Sequence, residues 1–276
     1  MKGPLIRLGT TSYIKPADIL PNVRYLGDKV DDIELVLFES EEASNLPDRS
    51  TIEALTALQA EHQLSYTVHF PLDIYPGSRD EQVRRTSVDT LVKIVELTEA
   101  LAPFGYVLHL SPDRYGESPS EDLGAWQDAL DRSVSEFLVR VDTPPSLICA
   151  ETLSYPFSLV EGIVERHGLS VTLDIGHIWL MGYDSEAALA SLLPKSRICH
   201  LHGVADGADH LGLDKGDPIA IETFLAALVA QVKTDQKERV LTMEVFGEAE
   251  FHASKALLAK SCAMMRAEEG GIYGNH

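Results

Sequence analysis

Basic residues are scarce in this chain, and their scarcity argues against polyanionic partners. The 276 residues include 23 Lys and Arg against 43 Asp and Glu, which gives a formal net charge of −20. DNA binding depends on neutralisation of phosphates by Lys and Arg, so we do not expect a nucleic acid polymer as partner. Most of the acidic charge suits solubility, and bound divalent cations would offset part of it.

Long hydrophobic runs and paired cysteines are also missing. No stretch of about 18 apolar residues occurs, so no membrane span is expected. The first residues show neither the apolar core nor the cleavage site of a signal peptide. The three cysteines, Cys149, Cys199 and Cys262, form no C-x-x-C pair. We therefore expect a cytoplasmic protein with reduced thiols, in which Cys149 and Cys199 act as small buried hydrophobes.

What the chain does contain is a regular alternation of short apolar segments and longer helical patterns. The predicted strands are 5–9, 33–38, 66–70, 106–110, 147–151, 170–174, 197–202 and 240–245. The predicted helices are 16–26, 51–62, 79–101, 120–140, 157–167, 185–193, 219–233 and 253–266. A strand followed by a helix implies parallel pairing with right-handed crossovers, and eight such units close into a single (β/α)8 TIM barrel.

An open, doubly wound α/β sheet is the alternative for the same elements. Such a sheet usually carries a glycine-rich phosphate turn after its first strand, but Gly9 is followed by Thr10-Thr11-Ser12-Tyr13, without G-x-G-x-x-G. We therefore favour the barrel, with residues 1–267 as one domain and 268–276 as a flexible tail. The sequence leaves the oligomeric state open, a homodimer included.

Ionisable residues stand at the ends of seven of the eight predicted strands. They are Glu39, His69, His109, Glu151, Asp174, the pair His200 and His202, and Glu244. In a parallel barrel all carboxyl ends of the strands meet at one mouth, so these groups converge. Several buried carboxylates repel one another, and no Lys or Arg stands beside them. Divalent cations would neutralise the set.

The loops after these strands add further candidate ligands. His177 follows Asp174 by three residues, and Asp209 and His210 follow the seventh strand. A single histidine at a strand end is more often a hydrogen-bonded core or rim residue, and Glu39 alone suits either a substrate contact or a structural hydrogen bond. The arrangement in register on successive strands favours metal binding or catalysis for the set.

Several short motifs carry a family resemblance over the whole chain. They are Val68-His69-Phe70-Pro71, Leu108-His109-Leu110, Cys149-Ala150-Glu151, Leu173-Asp174-Ile175-Gly176-His177, His200-Leu201-His202-Gly203, Asp209-His210-Leu211 and Thr242-Met243-Glu244-Val245. In this order they resemble the xylose-isomerase-like TIM barrel superfamily, which includes the AP endonuclease family 2-like proteins. That superfamily holds sugar isomerases, epimerases and endonuclease-type metallohydrolases.

The resemblance implies one of two ligand sets. The epimerase-like branch binds one ion through a Glu, Asp, His, Glu set, which corresponds here to Glu151, Asp174, His200 and Glu244. The endonuclease-like branch adds histidines for up to three zinc ions, matched here by His69, His109 and His210. His177 occurs in both branches. An isomerase has no need for His69 and His109, so a multi-metal hydrolase with one to three Zn or Mn ions is favoured.

Two departures from the endonuclease-like pattern put one metal site in doubt. That branch has Asp-x-His after the seventh strand, whereas Asp209 is adjacent to His210 here. Gly203, where an Asp is usual, follows His202. We therefore expect one site to be altered or empty, with Asp209 as a further candidate ligand.

The N-terminal segments Thr11-Ser12-Tyr13-Ile14 and Val30-Asp31-Asp32-Ile33-Glu34 resemble the cobamide-remodelling phosphodiesterase group. That resemblance implies a small phosphodiester substrate, the nucleotide loop of a corrinoid. Glu151 and Glu244 are the predicted catalytic carboxylates, and they would be the acid/base pair of a one-metal sugar isomerase or epimerase in the alternative. Predicted substrate contacts are Tyr13, Glu39, Tyr155 and His202. A non-catalytic metal- or ligand-binding barrel remains a third possibility.

Overall fold

Eight parallel strands form the centre of the structure, a computed structural model that describes residues 5–39, 44–111 and 121–268. The barrel strands are β1 Ile6–Thr11, β2 Asp32–Val36, β3 Ser65–His69, β4 Gly105–Leu108, β5 Ile148–Glu151, β6 Ser170–Asp174, β7 Ser196–Leu201 and β10 Arg239–Met243. They close in the order β1-β10-β7-β6-β5-β4-β3-β2. The predicted TIM barrel is confirmed, and every predicted strand agrees with an observed one to within two residues at each end.

Helices surround this barrel. They are α1 Ile19–Leu26, α2 Arg49–His62, α3 Glu81–Thr98, α4 Leu123–Arg140, α5 Glu161–His167, α6 Ile175–Leu180, α7 Ser185–Leu192, α8 Pro218–Asp235 and α9 Glu248–Glu268. Aspartates begin several of them, because each side chain accepts a hydrogen bond from a first-turn N–H: Asp80, Asp122, Asp184 and Asp217. Glu268 of the predicted tail belongs to α9, and residues 269–276 lie outside the described residues.

Three short elements near the barrel mouth were not predicted. One is α6, and the others are β8 Gly203–Ala205 and β9 Ala208–Leu211, which pair as an antiparallel hairpin. Asp206 and Gly207 make its turn with positive φ angles of 52° and 76°. Asp-Gly is a preferred pair for such turns. β8 and β9 are largely partly exposed and lack the continuous apolar run that identified the barrel strands, and α6 has fewer than two turns in which to show a helical period.

Below the mouth, the barrel interior combines a small apolar cluster with buried polar groups of β2 and β3, such as Asp32 and Thr67. Val107, Cys149 and Ile198 form a small buried cluster inside it. Residues i and i+2 of a strand share a face. Glu151 and His200 therefore lie two residues closer to the mouth than Cys149 and Ile198, on the same inner face.

Cys149 and Cys199 are buried and free, as predicted. Within the described residues, no helix combines the length and apolarity needed to cross a membrane.

Candidate metal centre

Six of the seven strand-end positions place their ionisable side chains around one hollow at the mouth. Together with α6 and the hairpin, they give three groups of histidine and carboxylate side chains in which the candidate ligand atoms lie within 4.8 Å of one another. The groups are His69, His109 and Glu151; then Glu151, Asp174, His200 and Glu244; then His177, His202 and His210. The convergence inferred from the strand ends is therefore present in the folded chain.

Glu151 belongs to two of these groups, and its two oxygens face different partners. Its Oε2 lies 2.6 Å from His109 Nε2 and 3.4 Å from His69 Nε2. Its Oε1 lies 2.9 Å from His200 Nδ1. The carboxylate is almost fully buried, at 1% exposure. A carboxylate in this position is able to bridge two neighbouring cation sites.

The second group surrounds Nδ1 of His200. Besides Glu151, this nitrogen lies 3.2 Å from Glu244 Oε2 and 3.9 Å from Asp174 Oδ2. Asp174 has a structural role as well, because its Oδ1 accepts the backbone N–H of His177 at 2.8 Å and so caps α6. The end of β6 and the start of α6 thus fix the carboxylate on the inner face of the barrel.

The third group is built by the hairpin and α6. His202 Nδ1 accepts the backbone N–H of His210 at 3.0 Å, and His202 Nε2 lies 3.2 Å from Asp174 Oδ1. Both nitrogens of this fully buried ring therefore have protein partners. His210 adopts a left-handed φ of 51°, uncommon for a residue with a side chain. That conformation brings its ring to within 4.4 Å of the His202 ring, centroid to centroid.

Backbone carbonyls fix the orientation of two other histidines. Nδ1 of His69 donates to the carbonyl of Phe70 at 2.7 Å, and Nδ1 of His177 donates to that of Thr152 at 2.9 Å. A carbonyl oxygen only accepts, so each ring carries its proton on Nδ1 and leaves Nε2 for another partner. Metal-binding histidines typically make such contacts with their second nitrogen.

Burial and charge act in opposite directions on these groups. Burial lowers the pKa of His109, even though it faces Glu151. Burial acts in the same direction on His69, but the hydrogen bond and charge of Glu151 outweigh it. The net effect is that the pKa of His69 is raised to about 9. Burial raises the pKa of Glu151, yet the charges of His109 and His200 hold it well below its ordinary value. In the absence of a cation, the ionised Glu151 therefore faces His69, whose protonated form is favoured, and His109, whose neutral form is favoured.

The donor set fits divalent cations. Glu244 Oε2 is buried and has no hydrogen-bond partner among the described residues. Every ion pair that the described residues make with Glu151, Asp174 or Glu244 comes from a histidine. Imidazole nitrogens and carboxylate oxygens in these numbers suit Zn or Mn, which would supply the positive charge that the carboxylates lack.

Four of the predicted residues lie apart from the three groups. Asp209 is half-buried beside the third group, with its Oδ2 3.8 Å from His210 Nε2. Glu39 accepts hydrogen bonds from Lys93 at 2.8 Å and Ser44 at 2.6 Å. Tyr13 is 39% exposed and packs its ring edge-on against Phe38. Tyr155 is buried, and its hydroxyl donates to the carbonyl of Leu110 at 2.8 Å.

A cavity of about 430 Å³ opens above the ligand groups. Its described lining includes four histidines of the centre, Asp209 and Tyr155, together with the apolar side chains Leu72, Leu153, Leu180, Met181 and Phe246; the four histidines are His69, His109, His177 and His210. Glu39, Tyr13 and His202 are not among the described residues that line it. Substrate contact through Glu39 stays a prediction, and in this structure its carboxylate is paired with Lys93 and Ser44.

Sequence analysis missed the carboxylate that β2 contributes. It is Glu34, whose Oε2 lies 2.9 Å from His200 Nε2, with both side chains fully buried. The strand ends at Val36, so Glu39 lies beyond it and not at its end. The available signal was the alternation of acid and apolar residues in Asp32-Ile33-Glu34-Leu35, which places two acids on one face of the strand.

The fold and its mouth define a (β/α)8 barrel with a candidate metal centre at the carboxyl ends of the strands. Residues 26–268 match the family described as xylose isomerase-like TIM barrel. The chain belongs to this family, as the sequence motifs indicated. No curated protein sequence matches the chain.

Solved structures with the same fold include sugar epimerases and an endonuclease. A D-tagatose 3-epimerase-like protein is 19% identical, covers 96% of this chain and 100% of its own, and has a TM-score of 0.76. The D-psicose 3-epimerase of Clostridium cellulolyticum is 14% identical over 93% and 98% of the two chains, with a TM-score of 0.70. Endonuclease IV from Thermus thermophilus is 17% identical over 92% and 99%, with a TM-score of 0.65. At these identities the likeness concerns the fold.

Proposed function

We propose that this protein is a metal-dependent phosphodiesterase that hydrolyses a small phosphodiester. The observation that carries the proposal is the position of Glu151, whose two oxygens face two different ligand groups. A one-ion isomerase needs the group around His200 but has no use for His69 and His109. Here both histidines lie within 3.4 Å of Glu151, where they complete a second cation site.

The proposed ligands follow from the three groups. His69, His109 and Glu151 hold one ion, and Glu151, Asp174, His200 and Glu244 hold another. His177 and His210 hold a third, with His202 or Asp209 beside them. Clustered divalent ions bind a phosphodiester, activate a water and stabilise the leaving oxygen. The chain itself keeps Glu151 and Glu244 ionised, and no Lys or Arg is among the described residues that line the cavity.

The apolar walls support a substrate that carries an apolar or aromatic group next to the phosphodiester. Hydroxyl groups of a sugar facing Leu72, Leu180 and Phe246 would lose their hydrogen bonds to water without replacement. The nucleotide loop of a cobamide combines a phosphodiester with a flat aromatic base. A cavity of about 430 Å³ suits such a fragment and not a whole corrinoid, which would remain outside the mouth.

A one-ion sugar epimerase is the second candidate. It is favoured by the group around His200, in which Glu151 and Glu244 approach the same imidazole nitrogen at 2.9 Å and 3.2 Å. Two carboxylates on either side of a bound ketose would act as the acid/base pair. The epimerases among the structural neighbours lend this reading the support of a shared fold.

An activity panel separates the two candidates. Protein loaded with Zn or Mn would be assayed on bis-p-nitrophenyl phosphate and on a corrinoid with an intact nucleotide loop. It would also be assayed on ketoses, with exchange of the substrate proton with solvent as the measure of epimerisation. We expect phosphodiester hydrolysis that disappears after treatment with a chelator and returns with the ion. Epimerisation of a ketose without phosphodiester cleavage would refute the proposal in favour of the alternative.

A further inference from the structure

We propose that Glu34 is a positioning residue for the metal centre, which determines the nitrogen that His200 offers to an ion and strengthens binding there. This inference rests on the proposed ligand role of His200, and it does not depend on the reaction that the centre catalyses. Glu34 contacts neither the other proposed ligands nor the cavity among the described contacts, so it acts through His200.

The geometry places the ring of His200 between two carboxylates. Its Nε2 lies 2.9 Å from Glu34 Oε2, and its Nδ1 lies 2.9 Å from Glu151 Oε1. An ionised carboxylate only accepts hydrogen bonds, so Nε2 carries the proton that it donates to Glu34. With Nε2 occupied in this way, Nδ1 is the nitrogen that remains to face Glu151, Asp174 and Glu244. A carboxylate behind a ligand histidine also makes the imidazole a stronger donor to a cation.

Burial sets Glu34 apart from an ordinary structural acid. Glu34 and His200 are both 0% exposed, and Glu34 Oε1 is buried without a hydrogen-bond partner among the described residues. A carboxylate that is only half satisfied in the barrel interior destabilises the fold unless positive charge lies nearby. A cation bound at Nδ1 of His200 would provide that charge, with only the imidazole ring between it and Glu34.

The same strand offers a matched control. Asp32 lies two residues before Glu34 on the same inner face and is equally buried. Its oxygens accept hydrogen bonds from Ser65 Oγ at 2.5 Å and Thr67 Oγ1 at 2.8 Å. None of its described hydrogen bonds involves a proposed ligand. Burial raises the pKa of Asp32 to about 7. Asp32→Asn therefore replaces a buried carboxyl group of β2 by an amide of the same size, without touching His200.

The experiment measures metal binding by competition with a chromophoric chelator, using Zn²⁺ and Co²⁺ on the wild type, Glu34→Ala, Glu34→Gln and Asp32→Asn. For Glu34→Ala we expect the dissociation constant of one site to rise by about 10- to 100-fold. Glu34→Gln should lie between Glu34→Ala and the wild type, since the amide oxygen still accepts from Nε2. Asp32→Asn should bind as the wild type does.

Two further readouts exclude a merely structural role. Long-range ¹H–¹⁵N NMR of the Zn-loaded protein should show His200 protonated on Nε2 in the wild type and a changed imidazole pattern in Glu34→Ala. The Tm of each metal-free protein is the reference, and the Tm gained on adding Zn²⁺ should be smaller in Glu34→Ala than in the wild type. Wild-type affinity in Glu34→Ala, or an equal loss in Asp32→Asn, would overturn the inference.

The outcome is separable from the proposed reaction. A weakened site in Glu34→Ala supports the inference even if the wild type cleaves no phosphodiester. A wild type that binds neither Zn²⁺ nor Co²⁺ overturns it, because no ligand would then remain for Glu34 to position.

Discussion

His109 Nε2 lies 2.6 Å from Glu151 Oε2 although the two residues are 42 positions apart and belong to different βα units. The contact joins the loop after β4 to the end of β5, and His69 approaches the same oxygen at 3.4 Å. Two imidazoles thus approach one carboxylate oxygen and a third imidazole approaches the other, which is the arrangement on which the proposal of two neighbouring cation sites rests.

Removal of His109 tests the first cation site. In His109→Ala we expect the protein to lose one bound ion and phosphodiesterase activity to fall by at least about 100-fold. Loss of a residue that only hydrogen-bonds to a metal ligand already costs about 10- to 100-fold, and loss of the ligand itself should cost at least as much. Metal content by elemental analysis and kcat/KM for bis-p-nitrophenyl phosphate measure this. His252→Ala, at a surface position on α9, is the control and should change neither. Full activity and metal content in His109→Ala would contradict the assignment.

Gly176 tests the third group. A Cβ at this position would lie 2.2 Å from His202 Cε1, so Gly176→Ala must displace the ring that contacts Asp174 and His210. We expect fewer bound ions and lower activity in this variant, measured by metal analysis and kcat. Gly162→Ala in α5 meets nothing within 4 Å and should raise stability slightly, by up to about 1 kcal/mol. A Gly176→Ala protein with unchanged metal content would show that the third group holds no ion.

The apolar wall is tested at Phe246, which is 45% exposed and lines the cavity. In Phe246→Ala we expect kcat/KM for an aromatic phosphodiester to fall about 10-fold, because an apolar contact with the substrate is lost. Metal content should not change, since Phe246 is no ligand. Val139→Ala is the matched control, as this apolar side chain is 85% exposed on α4 and lies outside the described lining of the cavity. Equal kinetics in both variants would exclude Phe246 from substrate binding.

The ion pair of Asp235 and Arg239 predicts how stability depends on pH. Arg239 is fully buried at the start of β10 and donates to Asp235 at 2.6 Å and 3.0 Å, which holds the pKa of Asp235 below its ordinary value. The pair therefore stabilises the fold fully above about pH 5, and this contribution is lost as the pH falls through the lowered pKa of the folded state.

Asp235→Asn should accordingly cost roughly 3 to 5 kcal/mol at pH 7, because Arg239 keeps its buried charge and loses its carboxylate partner, with the neutral carbonyls of Leu193 and Lys237 as remaining acceptors. The difference from the wild type should shrink as the pH falls below about 4. Urea denaturation at several pH values measures both effects. Glu222→Gln at an exposed position of α8 should cost little at any pH. A pH-independent difference for Asp235→Asn would contradict the electrostatic explanation.

Much of the fold was accessible from sequence because buried parallel strands are continuous apolar runs, and the break in each run marks the mouth. His69, Glu151 and Asp174 are each the last residue of their strands, so their convergence followed from topology alone. Glu34 was not accessible in this way. It pairs in register with Thr67, two residues below His69, and that depth depends on the relative shift of β2 and β3.

The positions of His202 and His210 also depend on tertiary structure. His202 meets Asp174 only because the hairpin of β8 and β9 folds back over α6, where His210 takes a left-handed φ. Residue spacing identified both histidines as candidates, but it gave no information on which nitrogen of His202 is already occupied by the backbone N–H of His210.

Metal stoichiometry tests the central claim most directly. The wild-type protein, stripped with a chelator and titrated with Zn²⁺, would be analysed by mass spectrometry of the intact complex together with elemental analysis. We expect at least two ions per chain in the wild type, and one fewer in the double variant His69→Ala/His109→Ala. A single ion in the wild type that persists in the double variant would contradict a Glu151 carboxylate shared between two cations.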